Sequence, residues 1–342
     1  MTFQTFAQAM RPEVEEALQG FIDRSLPVQY PELRGMLTYH MGWDGPGAGP
    51  EAQGKRIRPL LVLLCAEAAG GDWRGALPAA SAVELLHNFS LIHDDIQDHS
   101  PLRHNRETVW KKWGMPQAIN AGDVMFTLAF LSIQDLTAIL PPKDVLAASR
   151  ILQSTCLQLT QGQYLDISYE TKPALPEEAY WPMIGGKTSA LLACCCELGA
   201  LAAGAEETRR ADFREYGYNL GLAFQVLDDW LGIWGDTALT GKSAESDLVS
   251  GKKTFPVIHA LAQDGPFAER WMRGSIQPEE VPGLARMLED TGAYRHTLET
   301  AGRLTDQAMN ALRKATAGAE DCAREAAQAL EELTHALLRR KN

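Results

Sequence analysis

The sequence predicts an all-α fold, with residues 1–342 forming a single domain. Alanine and leucine are abundant, β-branched alternation is scarce, and Pro or Gly falls between the apolar stretches. Amphipathic helices are expected over 3–25 and 27–40, followed by the Gly/Pro-rich loop 40–54. Pro59 lies in the first turn of the next helix, which runs to Ala69 and stops at Gly70-Gly71. Further helices are expected over 75–98, 115–138, 142–170, 176–203, 208–235, 253–263, 279–290, 292–315 and 319–340. The breakers Pro101, Pro141-Pro142, Pro173, Pro176, Gly204 and Gly265-Pro266 separate them. Neither a fixed-period repeat nor a long polar linker divides the chain, so one helical domain around one core is the economical reading.

Composition narrows the function. Apolar residues make up 45% and charged residues 22%, which suits a packed globular chain and excludes disorder or a coiled-coil rod. The net charge of −12 repels phosphate backbones, so no nucleic-acid partner is expected. It leaves room for a small phosphorylated ligand held by local cations, and it suits a site that collects divalent metal. Cys65, Cys156, Cys194, Cys195, Cys196 and Cys322 form no C-x-x-C pair and read as buried thiols of a reducing compartment. The N-terminus lacks the basic-then-apolar order of a signal peptide. The most apolar stretch, Leu191–Ala203, is broken by Glu197 and is too short for a bilayer. A cytoplasmic protein without a transmembrane segment is the expectation.

Three sets of residues carry chemistry. The first is the run His93-Asp94-Asp95-Ile96-Gln97-Asp98. On a helix, Asp94 and Asp98 are separated by ~40° of rotation and ~6 Å of rise, so they point the same way. His87 lies two turns earlier and nearly in line. The rest of this helix is apolar (Val83, Leu85, Leu86, Phe89, Leu91, Ile92), and acids in such surroundings require a cation. Hard oxygen donors at this spacing suit Mg²⁺, and a solvated acidic helix end is the bland alternative. The second set, Phe224-Gln225-Val226-Leu227-Asp228-Asp229, repeats the arrangement on another apolar helix. Two such clusters together would make a metal cradle for a diphosphate.

The third set is cationic. Lys55, Arg56 and Arg58 precede a helix, Arg103 and Arg106 follow the first acidic run, and Lys187-Thr188 opens an apolar helix after Gly185-Gly186. Lys242 and Gly251-Lys252-Lys253-Thr254 follow the second acidic run. Each cation alone reads as solvated surface. Together, in an acidic chain, they flank both acidic motifs, as two anionic substrates around a metal cluster require.

In the order Gly54-Lys55-Arg56-Ile57-Arg58-Pro59, His87, the 94–98 run, Lys187-Thr188, Phe224–Asp229, Gly241-Lys242, Ser246-Asp247-Leu248 and Gly251–Thr254, the chain resembles the trans-isoprenyl diphosphate synthases, or polyprenyl synthetases. The resemblance implies a helical bundle around a deep central cavity, usually a homodimer. It implies head-to-tail condensation of isopentenyl diphosphate with an allylic diphosphate, dependent on two or three Mg²⁺ ions. It assigns the metal to Asp94, Asp98 and Asp228, with Asp95 and Asp229 in support. It places Arg103, Lys187 and Lys242 on the allylic diphosphate with Lys252 nearby, and Lys55, Arg58 and His87 on isopentenyl diphosphate. Thr188, Gln225, Gln163 and Asp166 would line the place where the allylic cation forms.

Two positions depart from the family pattern. His104 stands where a second arginine is usual, which makes that contact pH-sensitive, with Arg106 as the residue that could compensate. Gly232 stands where a third Asp is usual, with Asp236 one turn later. Phe89 and Ser90, five and four residues before Asp94, would set the floor of the product tunnel. In the family that the chain resembles, one aromatic at the fifth position beside a small residue at the fourth implies a C20 product, geranylgeranyl diphosphate, with farnesyl diphosphate or a longer chain as alternatives. A class I terpene cyclase and a non-catalytic partner subunit are the competing readings.

Overall fold

The computed structural model describes residues 1–235 and 246–338, which are helical almost throughout. They form two compact units. The first comprises Met1–Ser154, Cys194–Ala211 and Thr316–Leu330, and the second Thr155–Ala193, Asp212–Ala315 and the chain from Glu331.

In the first unit, α1 (Phe3–Ser25) starts at Thr2, whose hydroxyl accepts from the Thr5 N–H at 3.3 Å. It buries Phe6, Met10, Val14, Leu18 and Ile22 at one-turn spacing. α2 (Pro31–His40) begins four residues later than expected. Pro31 supplies its N1 position and biases Tyr30 away from helical angles. α3 (Ile57–Ala68) and α4 (Leu77–Gln97) are the core helices that carry the cationic and first acidic motifs. α5 (Met115–Ser132) packs on α4 and tightens into a 3₁₀ turn over Ile133–Ala138, where a longer helix was expected.

A short hairpin, Leu102–Arg103 paired with Arg106–Glu107, was not anticipated. Its two central residues, His104 and Asn105, have φ of 50° and 60°, the conformation that two-residue hairpin turns demand.

α6 (Pro142–Glu170), α7 (Glu177–Ile184), α8 (Ala190–Ala202) and α9 (Glu207–Trp234) follow the expected order. Between α7 and α8, Gly185–Ser189 form a π-helical turn. The run Glu177–Ala202 is thus one continuous 26-residue helix, longer than the apolar stretch suggests, and by length and composition it could cross a membrane. Its apolar window is 83% buried inside the protein, so protein rather than lipid meets these side chains. Within the first unit, the Cβ of any other residue at Gly199 would lie 2.2 Å from the Val62 carbonyl oxygen, so glycine lets α8 seat against α3. Cys65, Cys156 and Cys194–Cys196 are buried as expected, whereas Cys322 is exposed.

The second unit continues through α10 (Phe255–Leu261), α11 (Val281–Asp290), α12 (Ala293–Ala315) and α13 (Asp321–Leu338), whose end lies in it. Short helical turns over Ser246–Val249 and Pro266–Trp271 fall where no helix was expected.

Candidate active site

The cationic motif of the first unit is sorted by a strained turn. Arg56 caps α3 in the left-handed region, with φ 50°. Its guanidinium turns inward, 5% exposed, pairs with Glu15 at 2.7 Å and Glu84 at 2.8 Å, and donates to the Met41 carbonyl at 3.1 Å. Such a buried, fully bonded arginine is structural. Lys55 and Arg58, on either side, line a cavity of about 190 Å³ with His40, His87, Arg103 and His104.

Burial, reinforced by the charges of Arg103 and Arg56, lowers the pKa of His40 to about 3. Burial and the Arg58 and Arg103 charges hold His87 well below the ordinary imidazole range. Both rings are therefore neutral near pH 7. His87 Nε2 accepts from Arg58 Nη1 at 3.1 Å, which orients that guanidinium. The buried His40 Nε2 has no hydrogen-bond partner among the described residues. His40 is a candidate site residue that sequence reasoning missed.

At the end of α4, Asp95 is 2% exposed and is gripped by Arg103. Nε lies 3.1 Å from each carboxylate oxygen and Nη2 lies 2.8 Å from Oδ1. Burial raises the Asp95 pKa and Arg103 opposes the rise. Asp94 is half-buried and Asp98 is exposed at the helix C-cap. Three carboxylates at the negative end of a helix dipole favour a bound cation, and the all-oxygen donors of Asp94 and Asp98 fit Mg²⁺.

Arg106 does not compensate for His104. Its guanidinium is 8% exposed and is consumed by the carbonyls of Tyr39 at 2.7 Å, Asp44 at 2.6 Å and Pro46 at 3.0 Å. It clamps the 39–47 loop. Burial and the adjacent Arg103 charge lower the His104 pKa, so this residue is neutral near pH 7 and its pH-sensitive window lies lower than the sequence suggests.

Phe89 packs tilted against Phe126 at 5.0 Å between ring centroids, and Phe126 meets Phe130 edge to face at 4.8 Å. Ser90 turns its hydroxyl back to the His87 carbonyl at 2.8 Å. The aromatic at 89 is therefore the first rung of a three-ring ladder between α4 and α5.

The second unit gathers the other motif. Asp229 is 3% exposed, and both its oxygens are occupied. Oδ2 accepts from the Tyr180 hydroxyl at 2.7 Å and the Phe255 N–H at 2.9 Å, and Oδ1 accepts from Gln225 Nε2 at 3.0 Å. Thr188 in turn donates to Gln225 Oε1 at 2.8 Å. Burial raises the Asp229 pKa, while Lys252 and these donors oppose the rise. Burial and Asp229 push the Tyr180 phenol well up, so it stays protonated and donates. Tyr180 also escaped the sequence reading.

Lys187 pairs with Asp166, and Gln163 lies one turn before Asp166 on α6. Lys187 and Thr188 sit on the π turn. A Cβ at Gly162 would lie 2.1 Å from the Lys187 nitrogen, and one at Gly221 would lie 2.5 Å from the Ser189 Cα. These two glycines let α6 and α9 press on the turn from their own helices. Burial works against the Lys252 charge, but the carboxylates of Asp229, Asp247, Asp166 and Asp228 outweigh it and raise its pKa. Lys242 and Asp236 lie outside the described residues.

The missing third aspartate has a substitute in space. A Cβ at Gly232 would stand 1.9 Å from Asp247 Oδ2, so the Asp247 carboxylate occupies the space that a side chain at 232 would enter. Asp228, half-buried, and Asp247 add oxygen donors to this unit and fit a hard divalent cation. Asp229 is already committed to protein donors.

The polyprenyl synthetase family model matches residues 49–282. A (2E,6E)-farnesyl diphosphate synthase of Mycobacterium tuberculosis is 39% identical over 91% of this chain and 87% of its own length. A geranylgeranyl diphosphate synthase of the same organism is 41% identical over 70% of this chain and 68% of its own. The crystal structure of polyprenyl synthetase from Streptomyces coelicolor A3(2) superposes with a TM-score of 0.85 and 36% identity, covering 97% of this chain and 99% of that one. Geranylgeranyl pyrophosphate synthetase from Pyrococcus horikoshii Ot3 gives 0.86 and 30%, over 99% and 98%. With its motifs in order, its helical fold and these relatives, the chain belongs to the polyprenyl synthetase family and is a prenyl-transferring enzyme of the prenyl diphosphate synthase type.

Proposed function

We propose that the chain condenses isopentenyl diphosphate with an allylic diphosphate, head to tail, to make geranylgeranyl diphosphate. The observation that carries this reading is the cavity of the first unit: Lys55, Arg58 and Arg103 beside neutral His87 and His40, an anion pocket in an acidic protein. A terpene cyclase has no use for this second anion site.

In this reading Lys55, Arg58 and His87 hold isopentenyl diphosphate, with His104 at the rim. Lys187, Lys242, Lys252 and Arg103 hold the allylic diphosphate. Asp94, Asp98 and Asp228 hold two or three Mg²⁺ ions, and Asp95 and Asp229 fix the helices that present them. Bound Mg²⁺ would neutralise charge gathering on the departing diphosphate. The allylic C–O bond breaks, the isopentenyl double bond supplies the electron pair of the new C–C bond, and the proton is lost to the released diphosphate. Thr188, Gln225, Gln163 and Asp166 place oxygens where the allylic cation forms, and the Thr188–Gln225–Asp229 chain holds the first two in orientation. A cytoplasmic homodimer is the working form.

The test is a product assay of the purified protein with Mg²⁺, dimethylallyl diphosphate and labelled isopentenyl diphosphate, resolved by chain length. Geranylgeranyl diphosphate is expected. Farnesyl diphosphate as the main product would correct the chain length, a released hydrocarbon would indicate a cyclase, and no turnover would indicate a partner subunit. Phe89→Ala should lengthen the product, and Phe89→Ala with Phe126→Ala should lengthen it further because the next ring of the ladder is then also gone. Unchanged products in both variants would remove the ladder as the floor.

A further inference from the structure

Behind Asp229 lies a cluster of ligating groups that prenyl transfer does not use. Glu177 opens α7, His259 lies in the last turn of α10 and His296 in the first turn of α12. One ligand atom from each lies within 4.8 Å of the other two. Glu177 Oε2 stands 3.6 Å from His296 Nε2, too far for a hydrogen bond, and this buried nitrogen has no hydrogen-bond partner among the described residues. The two imidazoles stack, with centroids 4.3 Å apart.

We propose that Glu177, His259 and His296 form a binding site for Zn²⁺ or a similar borderline transition-metal ion, separate from the aspartate motifs and independent of the prenyl-transfer reading. Two imidazoles and one carboxylate are a zinc donor set, whereas Mg²⁺ prefers oxygen alone, so the two kinds of ion do not compete for the same groups. The groove beside His296 is lined by Glu289, Asp290 and Glu299 against one cation, Arg295, a net acidic lining that raises the local concentration of cations. Gln263 Nε2 donates to His259 Nε2 at 3.0 Å and to the Thr291 carbonyl at 3.1 Å, so metal loading either displaces this amide or uses His259 Nδ1.

Rings that stack nearly parallel share no in-plane point between them, so metal loading turns at least one imidazole about χ2 and ends the stack. Loading also reaches Asp229 through two short stretches of helix. Tyr180 lies three residues after Glu177, and Phe255 lies four before His259; these supply the two donors to Asp229 Oδ2. Phe255 stacks on His296 at 5.3 Å. A metal here ties together the helices that hold the second acidic motif.

The full chain, stripped with EDTA and returned to excess Mg²⁺, is titrated with Zn²⁺ against a chromophoric zinc chelator. A competing zinc site is expected in the wild type. It should weaken by about 100-fold or more in His259→Gln and in His296→Gln, and by about 10-fold in Glu177→Gln. Equal Zn²⁺ affinity in the wild type and both histidine variants overturns the proposal. Because replacing His296 also removes its stack on Phe255, zinc-edge X-ray absorption of the loaded wild type gives a reading free of mutation. Imidazole nitrogens at roughly 2.0–2.1 Å support the site, and an oxygen-only shell overturns it.

Discussion

Asp95 and Asp229 occupy the same place in their motifs and are almost equally buried, at 2% and 3% exposure, yet they are held by different means. Asp95 leans on one guanidinium, Arg103, through three hydrogen bonds. Asp229 is held by three donors that carry no charge, from Tyr180, Gln225 and the Phe255 backbone, with the Lys252 charge beyond them. The second anchor spreads its load over several neutral dipoles, so loss of one leaves the others in place. In both motifs, one acid is buried and braces the helix, and Asp94 and Asp228 are the neighbours proposed to meet a cation.

The largest effect should come from the half-buried acids proposed to hold the metal. Asp94→Asn and Asp228→Asn should each lower kcat by at least about 100-fold, as loss of electrostatic stabilisation at a leaving group does, with little change in the melting temperature. Steady-state kinetics beside thermal melts would show it, and a large fall in melting temperature would mean that the bracing and metal-holding roles had been exchanged.

The bracing acids should respond in the opposite sense. Tyr180→Phe removes one donor to the ionised Asp229 and should cost about 1–3 kcal/mol of stability, measured by denaturant unfolding. The remaining donors stabilise the charged carboxylate less, so its pKa rises further. The acid limb of the pH–rate profile should therefore move to higher pH, with activity lost earlier as the pH falls. Arg103→Met should be the harsher change, since among the described residues Arg103 supplies all three hydrogen bonds to the Asp95 carboxylate.

Asp247 sharpens the contrast between the motifs, because the second unit completes its acid set from a distant stretch of chain. Asp247→Asn should lower Mg²⁺ affinity by about 10-fold or more, and Gly232→Asp in that background should recover part of the loss. Metal titration of the single and double variants decides it; no recovery would mean that Asp247 only fills space. The smallest effect is expected at His104. Because burial and the Arg103 charge keep its imidazole neutral near pH 7, His104→Arg should lower KM for isopentenyl diphosphate a few-fold at pH 8, with the gain shrinking as the pH falls and the histidine takes up its own proton.

The helices were legible because Pro and Gly mark their limits and apolar spacing marks their faces, so α1, α6 and α9 fall within a residue of expectation. The hairpin was less so: its turn, His104-Asn105, lacks glycine, and its strands are two residues long. Within the candidate site, the residue types of each motif were readable, but their division of labour was not. Arg56 and Arg58 look alike in sequence. Both reach the cavity wall, but only the left-handed turn at 56 and the distant Glu15 and Glu84 tie up the Arg56 guanidinium, whereas Arg58 meets neutral His87. Arg106 looked available because carbonyls from the 39–47 loop leave no mark in a sequence. The π turn at Lys187 depends on Gly162 and Gly221, and Asp247 reaches the space beside Gly232 from fifteen residues away; both are facts of packing rather than of local pattern.

The most direct test of the divided roles is a count of bound ions. Mn²⁺ standing in for Mg²⁺, titrated in the presence of a non-hydrolysable diphosphate and followed by electron paramagnetic resonance, should show two or three ions on the wild type. Asp94→Asn and Asp228→Asn should each lose ions, while Tyr180→Phe keeps the full number. An unchanged count in both aspartate variants would contradict the assignment of the metal to these acids.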